Sequence, residues 1–124
     1  MTAAAGAAPA PQHWGTADAA AFLDAPGPDA DKYRRGVLGV RTGSSAYPGA
    51  AVLGVEAAWR TGIGLVRFTP QLDDAPAAHG LTTPAAAVLA ARPETVFADG
   101  ASHPDCDAWL LGSGTDPALR SFSE

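Results

Sequence analysis

The sequence predicts an α/β fold with a mostly parallel sheet. Short β-branched, apolar runs alternate with alanine-rich helical stretches along its 124 residues. The clearest unit is a strand at 36–40, a helix at 48–61 and a strand at 63–68, and a helical crossover of this kind joins parallel strands. Both strands are apolar at consecutive positions, which favours burial on both faces, as in a parallel sheet.

Residues 1–30 are predicted to form a flexible leader rich in alanine and proline. Only Trp14, Phe22 and Leu23 are large and apolar there, so the leader can bury little surface to offset the entropy lost on ordering. One short helix over TADAAAFL is expected, with Thr16 or Asp18 as its cap. Residues 31–124 are assigned to a single domain.

The central helix is bounded by residues with defined conformational roles. Pro48 suits its first turn, because proline has a fixed φ and no N–H that would need a partner. Gly62 suits the left-handed position just after its last turn. Glu56 and Arg60 are four residues apart with the acid first, so they are expected to form the solvated edge of an otherwise apolar helix.

Four further elements are expected in the second half of the chain. Thr83 and Pro84 are a cap and first-turn pair for a short helix through Ala91. ETVFADG predicts a short strand and a turn, and AWLLGSG, residues 108–114, predicts a fourth strand. TDPALRSFSE predicts a helix that begins near Pro117 and has about two turns. Because such a sheet would be only partly covered by helices, the fold is expected to be incomplete at its C-terminus.

The composition argues against several classes of partner. Thirteen acidic residues stand against eight basic ones, and the one basic cluster, Lys32, Arg34 and Arg35, is too small for a nucleic-acid or anionic membrane surface. The single cysteine, Cys106, excludes an intrachain disulfide and favours the cytoplasm. No apolar run approaches the roughly 20 residues that a membrane helix needs.

A glycine-rich loop joins the first strand to the central helix. Such a loop lies at the carboxyl ends of parallel strands, where helix N–H groups can bind a ligand. Its glycines, Gly43 and Gly49, match neither a Walker loop nor a dinucleotide fingerprint. A tight turn without a ligand therefore stays open as an alternative. The same alternative applies to Gly112 and Gly114, which end the fourth predicted strand.

The segment HPDCD is the other candidate for chemistry. It groups His103, Asp105, Cys106 and Asp107 on one turn, whereas a metal site needs ligands held by at least two elements. A nucleophilic Cys106 would need a positioned base, and neither His79 nor His103 has a recognisable context for that role. A bystander thiol is therefore favoured over a nucleophile. No metal ligand and no catalytic residue are predicted.

Three motifs indicate a family. They are K-Y-x-R-G at 32–36, G-S-x-x-Y-P-G-A-A at 43–51 and A-x-R-x-G-x-G-L-V at 58–66. Together they resemble the opening of the ADP-dependent (S)-NAD(P)H-hydrate dehydratases, and the resemblance extends more weakly to about residue 115. It implies that residues 31–124 are the N-terminal part of a NAD(P)H-hydrate dehydratase domain, and so part of a ribokinase-like three-layer sandwich with a mostly parallel sheet.

By this resemblance the expected activity is the ADP- or ATP-dependent dehydration of NAD(P)H hydrate to NAD(P)H, with Mg²⁺ handling the phosphates. A small-molecule dinucleotide is thus the implied partner, and a homo-oligomer is implied for the full-length family. The residues implied to bind the substrate are Gly43, Pro48, Gly49, Ala50, Gly112 and Gly114.

The sequence also departs from the family pattern. It has no counterpart of the substrate-site histidine, of the Lys-Gly segment that grips the nucleotide phosphates, or of the catalytic G-T-G-D aspartate. GSGTD imitates the last motif, but it falls where the family has an earlier G-P-G loop, with Ser113 in place of the proline, so Asp116 is given no catalytic role. Arg41 also stands at a strand end where a small or apolar residue is expected.

We therefore expect this chain to be inactive alone. Two alternatives remain: a dinucleotide-binding half-module that needs a partner chain, and a fragment of another ribokinase-like kinase.

Overall fold

The computed structural model describes residues 10–23, 25–71, 80–98, 105–112 and 114–115. Helices and strands alternate over most of this range, which confirms the α/β class. The predicted turn at Asp99 and the predicted helix near Pro117 lie outside the described residues. The elements are α1 (Thr16–Ala20), β1 (Val37–Arg41), α2 (Pro48–Arg60), β2 (Leu65–Phe68), α3 (Pro84–Ala91), β3 (Val96–Phe97) and β4 (Ala108–Leu111).

The four strands form one parallel sheet in the order β3-β2-β1-β4. Val37 is paired with Leu65 across β1 and β2, and Leu38 with Ala108 across β1 and β4. β3 adds to the outer edge of β2, also in parallel. The predicted parallel pairing of the first two strands is therefore confirmed, and β1 lies inside the sheet between β2 and β4.

The core lies between one face of this sheet and the helices α2 and α3. Val40, Val66 and Phe68 point from the strands into this layer and are at most 1% exposed. Val55 of α2 and Val88 of α3 meet them there and are fully buried. Burying an aliphatic or aromatic side chain of this size contributes about 1.5–3 kcal/mol, so this layer is the main source of stability among the described residues.

The opposite face of the sheet carries a different set of side chains. The Trp109 ring lies over Gly39, because a Cβ atom at position 39 would stand only 2.5 Å from it. Arg41 and Arg67 alternate with core-facing residues and so lie on this second face. Both arginines are partly buried. The third layer of the expected sandwich is not among the described elements and stays a prediction.

The first and third sequence motifs are in contact with each other. A Cβ atom at Gly64 would lie 1.7 Å from the carbonyl oxygen of Lys32, so only glycine fits there. The Gly36 carbonyl accepts hydrogen bonds from the N–H groups of Gly64 and Leu65, each at 3.2 Å. These motif residues therefore join the turn before β1 to the start of β2, which is a structural role.

The helix ends follow the sequence signals at α2 and α3. Pro48 occupies the first turn of α2, and Gly62 follows its end with φ +81°. Thr83 caps α3 by accepting the Ala86 N–H at 3.1 Å. At α1 the predicted Thr16 cap was wrong, because the N-cap residue is Gly15. Asp18, the other predicted residue, takes part in the cap by accepting the Gly15 N–H at 2.9 Å.

Glu56 links α2 to the segment that follows α3. It accepts a hydrogen bond from Arg60 at 2.7 Å, which confirms the predicted pair, and a second one from Arg92. The hydrogen bonds from Arg92 and then Arg60 lower the pKa of Glu56 to about 2. The side chain of Glu56 is only 26% exposed, so it lies between two elements and not on a fully solvated edge.

Candidate functional site

The candidate site lies at the carboxyl edge of the sheet, between β1 and β4. From β1 the chain crosses through α2 to β2 on one side, whereas β4 pairs with β1 on the other side. A parallel sheet opens a crevice at such a reversal of strand order, and α/β proteins bind ligands in that crevice, outside the carboxyl ends of the strands. The loops that follow β1 and β4 border it.

These two loops are in direct contact. A Cβ atom at Gly114 would lie 2.9 Å from the Cβ atom of Ala50, 3.1 Å from that of Tyr47 and 3.3 Å from the Cα atom of Gly43. Gly114 itself has φ +77°. The fold therefore brings together Gly43, Ala50 and Gly114, three of the residues implied to bind substrate, although about 70 residues separate the two loops.

The N-terminus of α2 opens at the same place and has no side-chain cap. Its N-cap residue is Tyr47, which makes no capping hydrogen bond, although Ser44 and Ser45 stand just before it. By contrast, Thr83 caps the shorter α3. The first N–H groups of a helix need acceptors and carry a partial positive charge. In α2 the first residue, Pro48, has no N–H, and the Ala50 N–H donates to the Tyr47 carbonyl at 3.1 Å, which leaves the Gly49 N–H without an acceptor among the described residues. An uncapped start beside a crevice is thus suited to an acceptor oxygen or an anion from a ligand.

Polar side chains are buried at this edge of the sheet. Thr42, Thr69, Gln71 and Thr115 follow the ends of β1, β2 and β4, and each is 5–8% exposed. The Thr42 hydroxyl donates to the Ala50 carbonyl at 3.3 Å. The hydroxyls of Thr69 and Thr115 have no hydrogen-bond partner among the described residues. Buried polar groups are normally paired, so these two hydroxyls are unsatisfied polar groups at the carboxyl edge of the sheet.

Gly43 is fixed tightly within its loop. It has φ +78°, and a Cβ atom there would lie 2.7 Å from the backbone nitrogen of Ala51. The Gln71 side-chain amide donates to its carbonyl oxygen at 2.7 Å in a buried hydrogen bond. Sequence reasoning missed Gln71 and the buried threonines. Their only signal was a polar residue just after an apolar strand, which is common in ordinary loops.

The remaining implied residues do not pack against the opposite loop in this way. Gly49 is exposed, and no atom lies within 4 Å of where its Cβ would be. Gly112, with φ +129°, is equally open. Pro48 is half-buried at the start of α2. The packing of the described residues does not require glycine at position 49. A ligand that came close to the backbone there would require it.

Cys106 lies at the opposite edge of the sheet. It shares a cavity of about 420 Å³ with Arg67, Asp107 and three other residues, just before β4. Burial raises the pKa of its thiol, which disfavours the thiolate that a nucleophile needs.

No metal-binding group of three or more His, Cys, Asp or Glu side chains occurs among the described residues, and His79, His103 and Asp116 lie outside them. In the part of the chain that the structure describes, no helix has the length and apolar character needed to span a bilayer.

Comparisons with known proteins agree with the resemblance. The bifunctional NAD(P)H-hydrate repair enzyme Nnr of Mycobacterium tuberculosis (strain H37Rv) is 43% identical over 104 residues, which cover 82% of this chain and 20% of that enzyme. Nnr of Corynebacterium glutamicum is 56% identical over 43 residues, 35% of this chain and 8% of the enzyme. Nnr of Mycobacterium leprae is 54% identical over 52 residues, 42% of this chain and 11% of the enzyme.

No family model matches the chain, and no solved structure matches it. The chain spans about a fifth of the length of the first of these curated relatives. It is homologous to a part of the NAD(P)H-hydrate repair enzymes, which confirms the family that the three motifs indicated.

Proposed function

We propose that this chain forms one side of a pocket for hydrated NAD(P)H, in the ADP- or ATP-dependent dehydration that returns the hydrate to NAD(P)H. The observation that carries the proposal is the meeting of the loops after β1 and β4 at the reversal of strand order, beside the uncapped start of α2. The names of the relatives supply the substrate class.

The described residues support binding and orientation of a dinucleotide. Gly43 and Gly114 keep the two loops close together, and Gly49 leaves room for a ligand to approach the backbone. The Gly49 N–H in the first turn of α2 can donate to a phosphate or ribose oxygen. The proposed role of this chain is therefore to hold the substrate in a fixed orientation, which lowers the barrier for a reaction at the bound ring.

The nucleotide and the Mg²⁺ that the resemblance implies do not fit the described residues. Lys32 is the only lysine of the sequence, and it precedes β1 with its ammonium group over the Tyr33 ring at 5.1 Å. It is thus at the amino edge of the sheet, away from the crevice. We assign no step of the reaction to groups that would act through ADP, ATP or Mg²⁺.

Titration calorimetry of the chain with NADPH hydrate tests the proposal. Saturable heat with NADPH hydrate, and none with ribose or a hydroxymethylpyrimidine, is the expected result. No heat with the hydrate would contradict it, and heat with the sugar or pyrimidine would favour a fragment of another ribokinase-like kinase. With ADP, Mg²⁺ and hydrated NADH, we expect the chain alone to restore no NADH absorbance.

The same proposal includes a cytoplasmic location, no nucleic-acid or membrane partner, and a homo-oligomer in the full-length family. They rest on the acidic composition, the single cysteine and the resemblance. A half-module that requires a separate partner chain would give no heat when this chain is titrated alone, so saturable heat in the titration would exclude that requirement.

A further inference from the structure

Gln71 is buried beside the candidate site and is not among the residues implied to bind substrate. It follows β2 by three residues and is 7% exposed. Its amide nitrogen lies 2.7 Å from the carbonyl oxygen of Gly43, which is 28 residues away in the sequence. Because a carbonyl can only accept, the contact defines which end of the Gln71 amide faces the loop.

This hydrogen bond sets the orientation of one peptide group in the loop. The Gly43–Ser44 peptide is trans, so its C=O and N–H point in opposite directions. With the carbonyl directed at Gln71, the N–H of Ser44 is directed away from it. This N–H has no acceptor among the described residues. The Ser44 N–H is therefore a backbone donor in the loop that leads from β1 to the uncapped start of α2.

We propose that Gln71 is a positioning residue for the substrate. It holds the Gly43–Ser44 peptide in the orientation that presents the Ser44 N–H to an acceptor oxygen of the hydrated dinucleotide. This inference rests on the proposed function. Close packing against Ala51 holds the position of Gly43, but glycine still allows the peptide that follows it to rotate, so without the Gln71 donor this peptide populates other orientations. The apparent affinity then falls in proportion to the fraction that remains competent to bind.

Substitutions that keep or remove the donor test the inference. Gln71→Met keeps the length of the side chain without a donor, whereas Gln71→His retains a ring N–H at similar reach. Gln12→Met makes the same change at an exposed position of the leader and is the matched control. NADPH hydrate is titrated into each variant by calorimetry, at a temperature where circular dichroism shows all of them folded. The Ser44 amide is followed by ¹⁵N NMR in the ligand-free proteins.

We expect Gln71→Met to weaken binding by about tenfold or more and to shift the Ser44 amide resonance. Gln71→His should stay within about threefold of the wild type, and Gln12→Met should be unchanged. Equal binding by wild type and Gln71→Met would overturn the inference and leave the proposed function standing. Equally weak binding by Gln71→His and Gln71→Met would also overturn it, because it would indicate a packing role.

A wild-type chain that binds no NADPH hydrate overturns the proposed function and this inference with it. In that case the Ser44 resonance still reports whether Gln71 orients the peptide. If Gln71→Met does not fold, Gln71→Asn replaces it, since its shorter side chain withdraws the donor from the Gly43 carbonyl. The same loss of affinity and the same resonance shift are expected, and their absence overturns the inference.

Discussion

Replacement of Gly114 by alanine tests the contact between the two loops at the candidate site. The new methyl group would lie 2.9 Å from the Cβ atom of Ala50 and 3.1 Å from that of Tyr47, both at the start of α2. Overpacking of this kind costs about 1–3 kcal/mol. The φ of +77° adds about 1–2 kcal/mol for any residue with a Cβ atom. The expected loss of stability is therefore about 2–5 kcal/mol.

Gly62→Ala is the matched control. Its φ of +81° is nearly the same, but no atom lies within 4 Å of the position that its Cβ would occupy. It should lose only the conformational part, about 1–2 kcal/mol. Urea unfolding followed by circular dichroism measures both variants. Equal losses for Gly114→Ala and Gly62→Ala would show that the loops do not touch as described, and would remove the basis of the candidate site.

Three further changes test the scaffold that supports the site. The pKa of Glu56 is lowered to about 2, so its pairing stabilises the fold above about pH 4.5 and this stabilisation is lost as the pH falls toward 2. Glu56→Gln should therefore reduce the dependence of the melting temperature on pH in that window. An unchanged pH dependence would contradict the pairing. Gly64→Ala should prevent cooperative folding, because its Cβ would lie 1.7 Å from the Lys32 carbonyl oxygen. A cooperative thermal unfolding transition near the wild-type melting temperature would be inconsistent with that contact. Thr83→Ala should cost about 1 kcal/mol by removing the α3 cap, measured by urea unfolding, whereas the exposed Thr82→Ala should cost nothing; equal effects would argue against the cap.

Local signals in the sequence were enough for the central β-α-β unit. Pro48 and Gly62 act through their own backbone preferences, and Thr83 acts on an N–H three residues away. Such signals depend only on neighbours in the chain, so they can be recognised without knowing the fold. The limits of α2 and α3 were accordingly predicted to within one residue.

Contacts between distant segments left no comparable signal. The turn at Lys32 determines that residue 64 must be glycine, and Trp109 does the same for residue 39. Neither requirement is visible from the residues that surround these glycines. The α1 cap shows the same limit on a smaller scale, since Gly15 has no side chain to mark it as a cap.

The resemblance implied that the loops after β1 and β4 line one pocket, but it gave no physical reason for their contact. The motif around Tyr47 marked the loop after β1, and the glycines after β4 were recognised from the same resemblance. That these two loops touch depends on β4 pairing with β1 and not with β3, its predecessor in the chain. Strand order is a property of the whole sheet, and so is the burial of Gln71 against the Gly43 carbonyl.

Titration of NADPH hydrate into the wild-type chain and into Gly49→Ala is the most direct test of a dinucleotide pocket at this crevice. Gly49 is exposed in the first turn of α2, with open space around its Cβ position, so alanine should raise stability by up to about 1 kcal/mol. If the glycine is present because the ligand approaches it, the same variant should bind the hydrate about tenfold or more weakly. Higher stability with unchanged binding would contradict a ligand at this position.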